Sequence, residues 1–566
     1  MTENREIIQQ WQYFGKVHPK LLEDKAFEYC KQAGITSLQS YLYWAEIEKE
    51  PGKIDFSTYD ILVKKLKEHN LKWVPFLILG PNYATPNWFQ ESDECLYAKC
   101  LEHKKESKIQ SIWNPFLPKW VERFLKIVSE HYRDKNILES ICLGISGNWG
   151  EAIYPATGDF SENFHTHPGW WCGDEDAVQS FRKYTLKKYG SLDRLNNVWK
   201  TNFSNFESID FPNLRYSFSF IRKAYKFIPI FFKPGVKSIY NFVKSVSKRE
   251  IKNLRDQQQW LDFVAWYLNS MTNWAEFWLE TARKYFPVIK IYLVTGGIGQ
   301  PILGADFSAQ TKIAAKYNAG IRITNQTNDY SQSFILSRLV STAARFYNSY
   351  FTTEEAAILQ SSQGIIMRLF DAVSSGAQGF YCKNIISIGK DPCIKKNLPV
   401  GSPTQGAINL AKNLQYLTLS EPIIKTAVFF PSTSIAFEPF ILDSLYKQCS
   451  KLRDVLDFDL LDENMVRDGA LEKYQYLLVL KGEIPEGEVS EKIKDWAKKG
   501  GILSSNPKII TNDIDNEYDR VYATRFADKI MYYNANNFEV RKKVGSKFIK
   551  IKANSITVEQ NKSCGF

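Results

Sequence analysis

At 566 residues the chain is too long for one hydrophobic core, so two or three domains are expected. Its 44% hydrophobic and 24% charged residues are typical of folded globular proteins and exclude a largely disordered chain. No apolar run is long enough for a transmembrane helix, so a membrane-spanning protein is also excluded. The net charge of +11 is concentrated, because residues 215–255 carry eleven Lys or Arg and one acid.

The first ten residues are polar and lack the apolar core of a secretory signal. The nine cysteines are scattered and show no C-x-x-C pair, which favours reduced thiols over a disulfide framework. The six histidines show no H-E-x-x-H spacing. Together these features predict a cytoplasmic protein.

Up to about residue 400, short apolar strands alternate with amphipathic helices. We predict strands at 36–43, 71–79, 137–145, 288–295, 319–324, 348–353 and 377–383, and helices at 20–34, 58–69, 116–132 and 260–285. Such alternation is typical of parallel βα units, and about eight strand candidates fit a (β/α)8 barrel. From about residue 416 a smaller α/β unit follows, and from residue 513 short alternating strands predict a small β domain.

One stretch stands out for chemistry, L-G-I-S-G-N-W-G-E-A-I-Y-P at 143–155. A buried strand opens there into a glycine-rich turn that presents Glu151 between aromatic rings. Cleavage of a glycosidic bond needs a carboxyl group of this kind, held where a barrel strand ends. An N-terminal helix acid among core aromatics would produce the same pattern.

Three motifs resemble glycoside hydrolase family 42 β-galactosidases: W-A-E-I-E-K-E-P-G-K-I-D-F (44–56), A-T-P-N-W (84–88) and F-R-K-Y-T-L-K-K-Y-G-S-L-D-R-L-N-N-V-W (181–199). The resemblance implies a barrel at 1–415, with an insertion at about 212–255. It also implies a flavodoxin-like domain at 416–512 and a small β domain at 513–566. The sequence differs from that family in carrying Gly150 directly before Glu151, and G-E-x-x-Y-P resembles the acid loop of the inverting family 14 β-amylases.

The resemblance implies Glu151 as the general acid, and T-T-E-E (352–355) supplies the second carboxylate. Strand alternation lets only one of Glu354 and Glu355 face the cleft, and Glu354 is favoured. Polar and aromatic residues that follow the strands are candidate substrate contacts, although each fits loop packing equally well: Trp44, Asn82, Trp88, Trp113, Asn114, Asn148, Trp149, Tyr154, Asn325, Gln326, Asn328 and Tyr381.

No metal or other cofactor is predicted. His165 and His167 lie two apart, but no third ligand with a suitable spacing is evident from the sequence. The cysteine cluster that holds zinc in the similar family is reduced here to Cys172.

The basic segment 215–255 also carries nine Phe or Tyr residues. It fits a lid packed on the barrel, or contact with an anionic membrane surface or an acidic glycan. No nucleic-acid motif is present. The resemblance of the second domain also implies that the protein could form a homo-oligomer.

The sequence therefore predicts a glycoside hydrolase that uses two Glu carboxylates on a carbohydrate substrate, exo-acting and retaining on a β-galactoside-like glycan. Two other hypotheses remain: an enzyme for lipid-linked or acidic surface polysaccharide at the inner membrane, and a non-catalytic carbohydrate-binding barrel.

Overall fold

A computed structural model describes residues 6–10, 19–156, 164–212, 257–355, 362–383, 385–391, 396–484, 487–510, 519–544 and 547–560. The basic segment 215–255 lies outside these residues, so its predicted membrane or glycan contacts stay predictions. Within the described ranges, no helix combines the length and the apolar character that crossing a bilayer requires.

Eight parallel strands close into a barrel, and their spatial order follows the chain. They are β1 (Glu6–Gln10), β2 (Ser37–Tyr43), β3 (Lys72–Ile78), β4 (Ser140–Gly144), β5 (Lys290–Thr295), β6 (Gly320–Gln326), β7 (Tyr350–Glu355) and β8 (Gly379–Lys383). The barrel closes where β1 pairs with β8. The predicted (β/α)8 fold is confirmed, and β1, which no sequence pattern indicated, is its first strand.

Helices surround the barrel and cover the outer faces of its strands. The longer ones are Asp24–Gln32, Ser57–Glu68, Leu117–Tyr132, Glu175–Tyr189, Leu192–Trp199, Gln257–Tyr285, Phe307–Lys316, Tyr330–Tyr347, Ser362–Ser375 and Gln405–Asn413, with short turns at Trp44–Ile47 and Asn87–Gln90. In Leu117–Tyr132 the buried residues Val121, Leu125, Val128 and Tyr132 recur at helical spacing and form the face that packs inward.

A second, four-stranded parallel sheet follows the barrel. It comprises β9 (Thr426–Phe429), β10 (Asp459–Leu461), β11 (Tyr476–Leu478) and β12 (Ile502–Ser504), in the order β10-β9-β11-β12. Its helices are Ser432–Phe437, Ile441–Arg453, Glu463–Arg467 and Gly487–Lys498. The last part is antiparallel: β13 (Val521–Arg525), β14 (Lys529–Asn534) and β17 (Ser555–Gln560) pair, as do β15 (Val540–Val544) and β16 (Lys547–Ile551). The division into three domains at residues 415 and 512 stays a prediction.

Buried arginines join the barrel to the second sheet. Arg338 is fully buried and donates to Asp459 at 3.0 Å and to Asp457 at 2.9 Å. Burial acts to raise the pKa of Asp459, but the guanidinium groups of Arg345 and Arg338 outweigh it and lower that pKa. Arg453, also buried, donates to a carbonyl oxygen of β13 at 3.0 Å. These contacts tie three parts of the chain together through buried charge.

Candidate active site

The turn that follows β4 holds Glu151 at the end of the strand. Gly147 and Gly150 have φ angles of 60° and 101°, which glycine adopts without strain. A Cβ on Gly150 would lie 3.0 Å from the Phe76 ring, and one on Gly147 would lie 2.9 Å from Glu151 Oε2. The Ile145 amide donates to the Gly150 carbonyl at 2.9 Å and closes the turn. Both glycines therefore allow this tight turn to present the carboxyl group.

The environment of Glu151 favours its protonated form. Desolvation by burial raises the pKa of this carboxyl, and the negative charge of Glu354 raises it further. The backbone N–H of Trp149 donates to Glu151 Oε2 at 3.1 Å, and this contact and Arg322 act in the opposite direction. The net direction is upward, which is what a proton donor near neutral pH needs.

Glu354 on β7 lies between two buried cations. Arg322 Nη2 lies 2.8 Å from Glu354 Oε2, and Lys383 Nζ lies 3.2 Å from Glu354 Oε1. All three side chains are at most 7% exposed. Each carboxylate oxygen thus faces one positive charge, which favours the ionised form of Glu354 and fixes its orientation.

Arg322 is itself held from several sides within the barrel. It donates to Gln39 Oε1 on β2, and its guanidinium lies 4.5 Å from the ring centre of Phe76 and 5.2 Å from that of Tyr381. Tyr381 is buried beneath this cation, and its hydroxyl lies 3.4 Å from Cys142 Sγ. Tyr381 therefore supports the charged cluster from within the barrel, and a direct substrate contact is not favoured for it.

Sequence reasoning missed Arg322 and Lys383. Both stand in strands that are otherwise largely apolar, G-I-R-I-T and G-F-Y-C-K. A cation inside a buried barrel strand needs a counter-ion, because an unpaired buried charge is costly. That requirement was the available signal, and it points to a carboxylate on the intervening strand.

Of the predicted substrate contacts, Trp149 and Asn148 lie closest in sequence to Glu151. Trp149 is 38% exposed, and its ring centre lies 6.4 Å from that of Tyr83. Tyr83 donates to the Asn148 carbonyl at 3.1 Å and so fixes the turn. An exposed indole beside the Glu151 carboxyl group can pack against the apolar face of a sugar ring.

Several other predicted contacts instead serve to pack the loops. Trp44 is 1% exposed and donates to Glu48 at 2.7 Å. It packs edge-on against Trp88, with ring centres 5.4 Å apart, and Trp88 donates to the Glu48 carbonyl at 2.9 Å. Asn82 bonds Gln90 and lies 3.3 Å from the Tyr97 hydroxyl. These contacts enclose the Trp44 ring in protein, and its predicted sugar contact stays a prediction.

The same holds for the residues that surround Tyr154. Tyr154 is buried, donates to the Tyr267 carbonyl at 2.8 Å and stacks on Tyr267 with ring centres 3.9 Å apart. Trp113 stacks on Tyr154 at 5.6 Å. Asn114 is buried and donates to the Glu94 carbonyl at 2.8 Å. Tyr154 therefore supports the turn that carries Glu151, and Asn114 holds a neighbouring loop. Their predicted substrate contacts stay predictions.

Asn328 is exposed and accepts a hydrogen bond from Arg368 at 3.1 Å. The side chains of Asn325, Gln326 and Glu355 lie outside the described part of the structure. Their predicted roles therefore stay predictions.

A second polar cluster lies beside these loops. Cys100, His103, His165 and His167 bring four potential metal-ligand atoms within 4.8 Å of one another. The sequence indicated no third ligand for His165 and His167, but the fold brings Cys100 and His103 to them. The C-x-x-H spacing at Cys100 and His103 was the missed signal. Cys172, the residue left from the similar family's cluster, does not belong to this group.

Comparisons with known proteins agree with this architecture. Residues 12–278, just under half of the chain, match the sequence profile of glycoside hydrolase family 42, described as beta-galactosidase. The resemblance to glycoside hydrolase family 42 is confirmed. The fold matches a β-galactosidase from Rahnella sp. R3 with a TM-score of 0.70 at 11% identity, covering 99% of this chain and 98% of that one.

A likeness to β-amylases accompanies the family 42 resemblance. A β-amylase from Cytobacillus firmus is 24% identical over 204 residues, which cover 33% of this chain and 43% of that protein. The catalytic domain of a β-amylase from Paenibacillus polymyxa has a TM-score of 0.56 at 18% identity, covering 74% of this chain and 98% of that domain. The chain thus spans less than half the length of the first of these relatives.

Proposed function

We propose that this chain is a glycoside hydrolase that cleaves β-galactoside-like glycans from the chain end with retention of configuration. Glu151 is the acid and base, and Glu354 is the nucleophile. The observation that carries the proposal is the contrast between two carboxyl groups: burial and the charge of Glu354 raise the pKa of Glu151, whereas two buried cations pair with Glu354. Retaining glycoside hydrolysis needs one protonated carboxyl group as the acid and one ionised carboxylate as the nucleophile.

In the proposed reaction, Glu354 attacks the anomeric carbon while Glu151 gives its proton to the departing glycosidic oxygen. A covalent glycosyl ester on Glu354 forms as the glycosidic bond breaks. Glu151, now ionised, takes a proton from water, which attacks the same carbon and releases Glu354. Trp149, exposed beside Glu151, supplies an apolar face for the sugar ring.

The test compares wild type with Glu151→Gln and Glu354→Gln on a panel of aryl glycosides, and follows the first-formed anomer by NMR. Glu50→Gln, which alters an exposed acid, is the matched control. We expect β-galactoside turnover with retention, lost in both site variants and kept in the control. A first product of inverted configuration would make Glu354 a base that activates water. Full turnover by Glu151→Gln would refute the assignment, and sugar binding without turnover by wild type would favour the non-catalytic barrel.

A further inference from the structure

We propose that Cys100, His103, His165 and His167 form a structural zinc site that fastens two loops beside the candidate active site. The four ligand atoms are Cys100 Sγ, His103 Nδ1, His165 Nε2 and His167 Nε2. One thiolate and three imidazoles are a ligand set that suits Zn²⁺. The proposal is independent of the proposed reaction.

The spacing of the ligand atoms fits a tetrahedral ion. Cys100 Sγ lies 3.4 Å from His103 Nδ1 and 3.2 Å from His165 Nε2, and His103 Nδ1 lies 3.1 Å from His167 Nε2. Zinc bonds of about 2.3 Å to sulfur and about 2.0–2.1 Å to nitrogen place ligand atoms roughly 3.3–3.6 Å apart in a tetrahedron. All four ligand atoms lie within 4.8 Å of one another, so the more distant pairs would draw together around the ion.

The surrounding contacts orient the ligands toward a common centre. His167 Nδ1 lies 2.8 Å from the Pro168 carbonyl, which can only accept, so Nδ1 carries the proton and Nε2 presents its lone pair. A Cβ on Gly169 would lie 2.4 Å from the His167 ring, so this position admits only glycine without a shift. Trp171 packs on the rings of His165 and His167, with ring centres 5.7 and 5.1 Å away.

The local backbone holds the two ligand pairs against each other. The Leu101 amide donates to the Trp170 carbonyl at 2.7 Å, and the Trp170 amide donates to Glu102 Oε1 at 2.9 Å. Glu102, which stands between the two ligands of the first loop, is a carboxylate that can offset the positive charge of a zinc with one thiolate. Four protein ligands leave no open coordination position, which is typical of a structural zinc.

The site would also steady the Glu151 turn. The Trp171 amide donates to the Tyr267 hydroxyl at 3.1 Å, and Tyr267 stacks on Tyr154. A zinc that fixes the loop of His165 and His167 therefore limits the motion of the aromatic stack that supports Glu151. The ion itself takes no part in bond cleavage.

The test measures metal directly on the full chain. Protein purified and exposed to Zn²⁺ is dialysed and analysed by mass spectrometry for zinc, and a Co²⁺-loaded sample is examined by visible absorption. We expect about one zinc per chain, tetrahedral Co²⁺ bands and a thiolate-to-cobalt charge-transfer band. Cys100→Ser should remove the charge-transfer band and weaken zinc binding by at least about tenfold. Cys95→Ser, a thiol in the same region but outside the cluster, should behave as wild type.

If Cys100→Ser does not fold, the wild-type protein still decides the question. Treatment with a chelator should lower its thermal unfolding midpoint, and Zn²⁺, but not Mg²⁺, should restore it. Wild type that takes up no zinc from a solution with excess Zn²⁺ would overturn the proposal. So would Cys100→Ser with the same stoichiometry and cobalt spectrum as wild type.

Discussion

Glu151 and Glu354 interact electrostatically across the mouth of the barrel: after desolvation, the charge of Glu354 is the next cause that raises the pKa of Glu151. The asymmetry between them arises from their neighbours. Glu354 pairs with Arg322 and Lys383, whereas the Glu151 carboxyl accepts a hydrogen bond from the neutral amide of Trp149. Two chemically identical side chains therefore differ in the protonation state that the fold favours.

Glu151→Gln should slow hydrolysis of substrates with poor leaving groups by about 10²–10⁴-fold, because the general acid is lost. The variant should be as stable as wild type or more so at pH 7. A raised carboxyl pKa contributes stability that is present below the unfolded-state pKa and is lost as pH rises through the folded-state pKa. The Gln side chain in the variant does not ionise, so the variant does not lose this stability as pH rises. Steady-state kinetics and thermal unfolding at pH 5 and pH 7 check both parts, and a destabilised variant at pH 7 would contradict the second.

Lys383→Met should move the acidic limb of the kcat/KM profile to higher pH by about one unit or more, because a positive charge 3.2 Å from Glu354 is lost. Lys383→Arg keeps the charge and should restore most of the wild-type profile. A purely structural role would lower activity by a similar factor at every pH. The measurement is kcat/KM from pH 4 to pH 9 for the three proteins.

Asp462→Asn should make the protein more stable at alkaline pH. Burial, followed by the charge of Asp306, raises the pKa of Asp462 to about 7. The stability linked to its protonated form is complete below the unfolded-state pKa and declines as pH rises through about 7. The variant's gain over wild type should therefore grow by roughly 1–4 kcal/mol between pH 5 and pH 8. Urea unfolding at both pH values measures it, with the exposed Asp495→Asn as control, and an equal gain at both would contradict it.

Arg338→Met should lower the free energy of unfolding by about 3–5 kcal/mol, because it removes a fully buried cation that pairs with both Asp457 and Asp459. Lys312→Met removes an ion pair that also joins a barrel helix to the second unit, with Asp468 at 2.7 Å. Lys312 is 56% exposed, so its loss should cost about 1 kcal/mol or less. Chemical denaturation compares the two, and equal costs would mean that burial is not the deciding factor.

Most of the barrel could be predicted because alternating strands and helices leave a strong periodic signal. The first strand, E-I-I-Q-Q, could not, since it is short and only its two isoleucines are apolar. Glu151 was predictable because its glycine-rich turn follows an apolar strand. The contacts of the aromatic residues were harder to predict. Because Trp44 follows a strand, the sequence places it at the carboxyl end of the barrel. Only its packing with Trp88 and Glu48 reveals that its ring is enclosed.

The sequence did not predict the metal cluster or the cations around Glu354, and the reason is the same for both. Cys100 and His103 are separated from His165 and His167 by more than sixty positions, and Arg322, Glu354 and Lys383 lie on three successive strands. Each group is brought together by the closed barrel and its loops. Spacing along the chain carries little information about such sites, whereas an unexplained polar residue in an apolar segment does.

The pairing of β1 with β8 has a consequence for biosynthesis. On the ribosome, β1 is made long before Gly379, the partner of Glu6, which follows only after most of the barrel. At about 5–20 residues per second the wait lasts roughly 20–75 s. Throughout that interval the edge of β1, with Ile7 and Ile8, stays unpaired and open to other strands. The barrel can close only when the last strand has been made, and until then this edge can pair with strands of other chains.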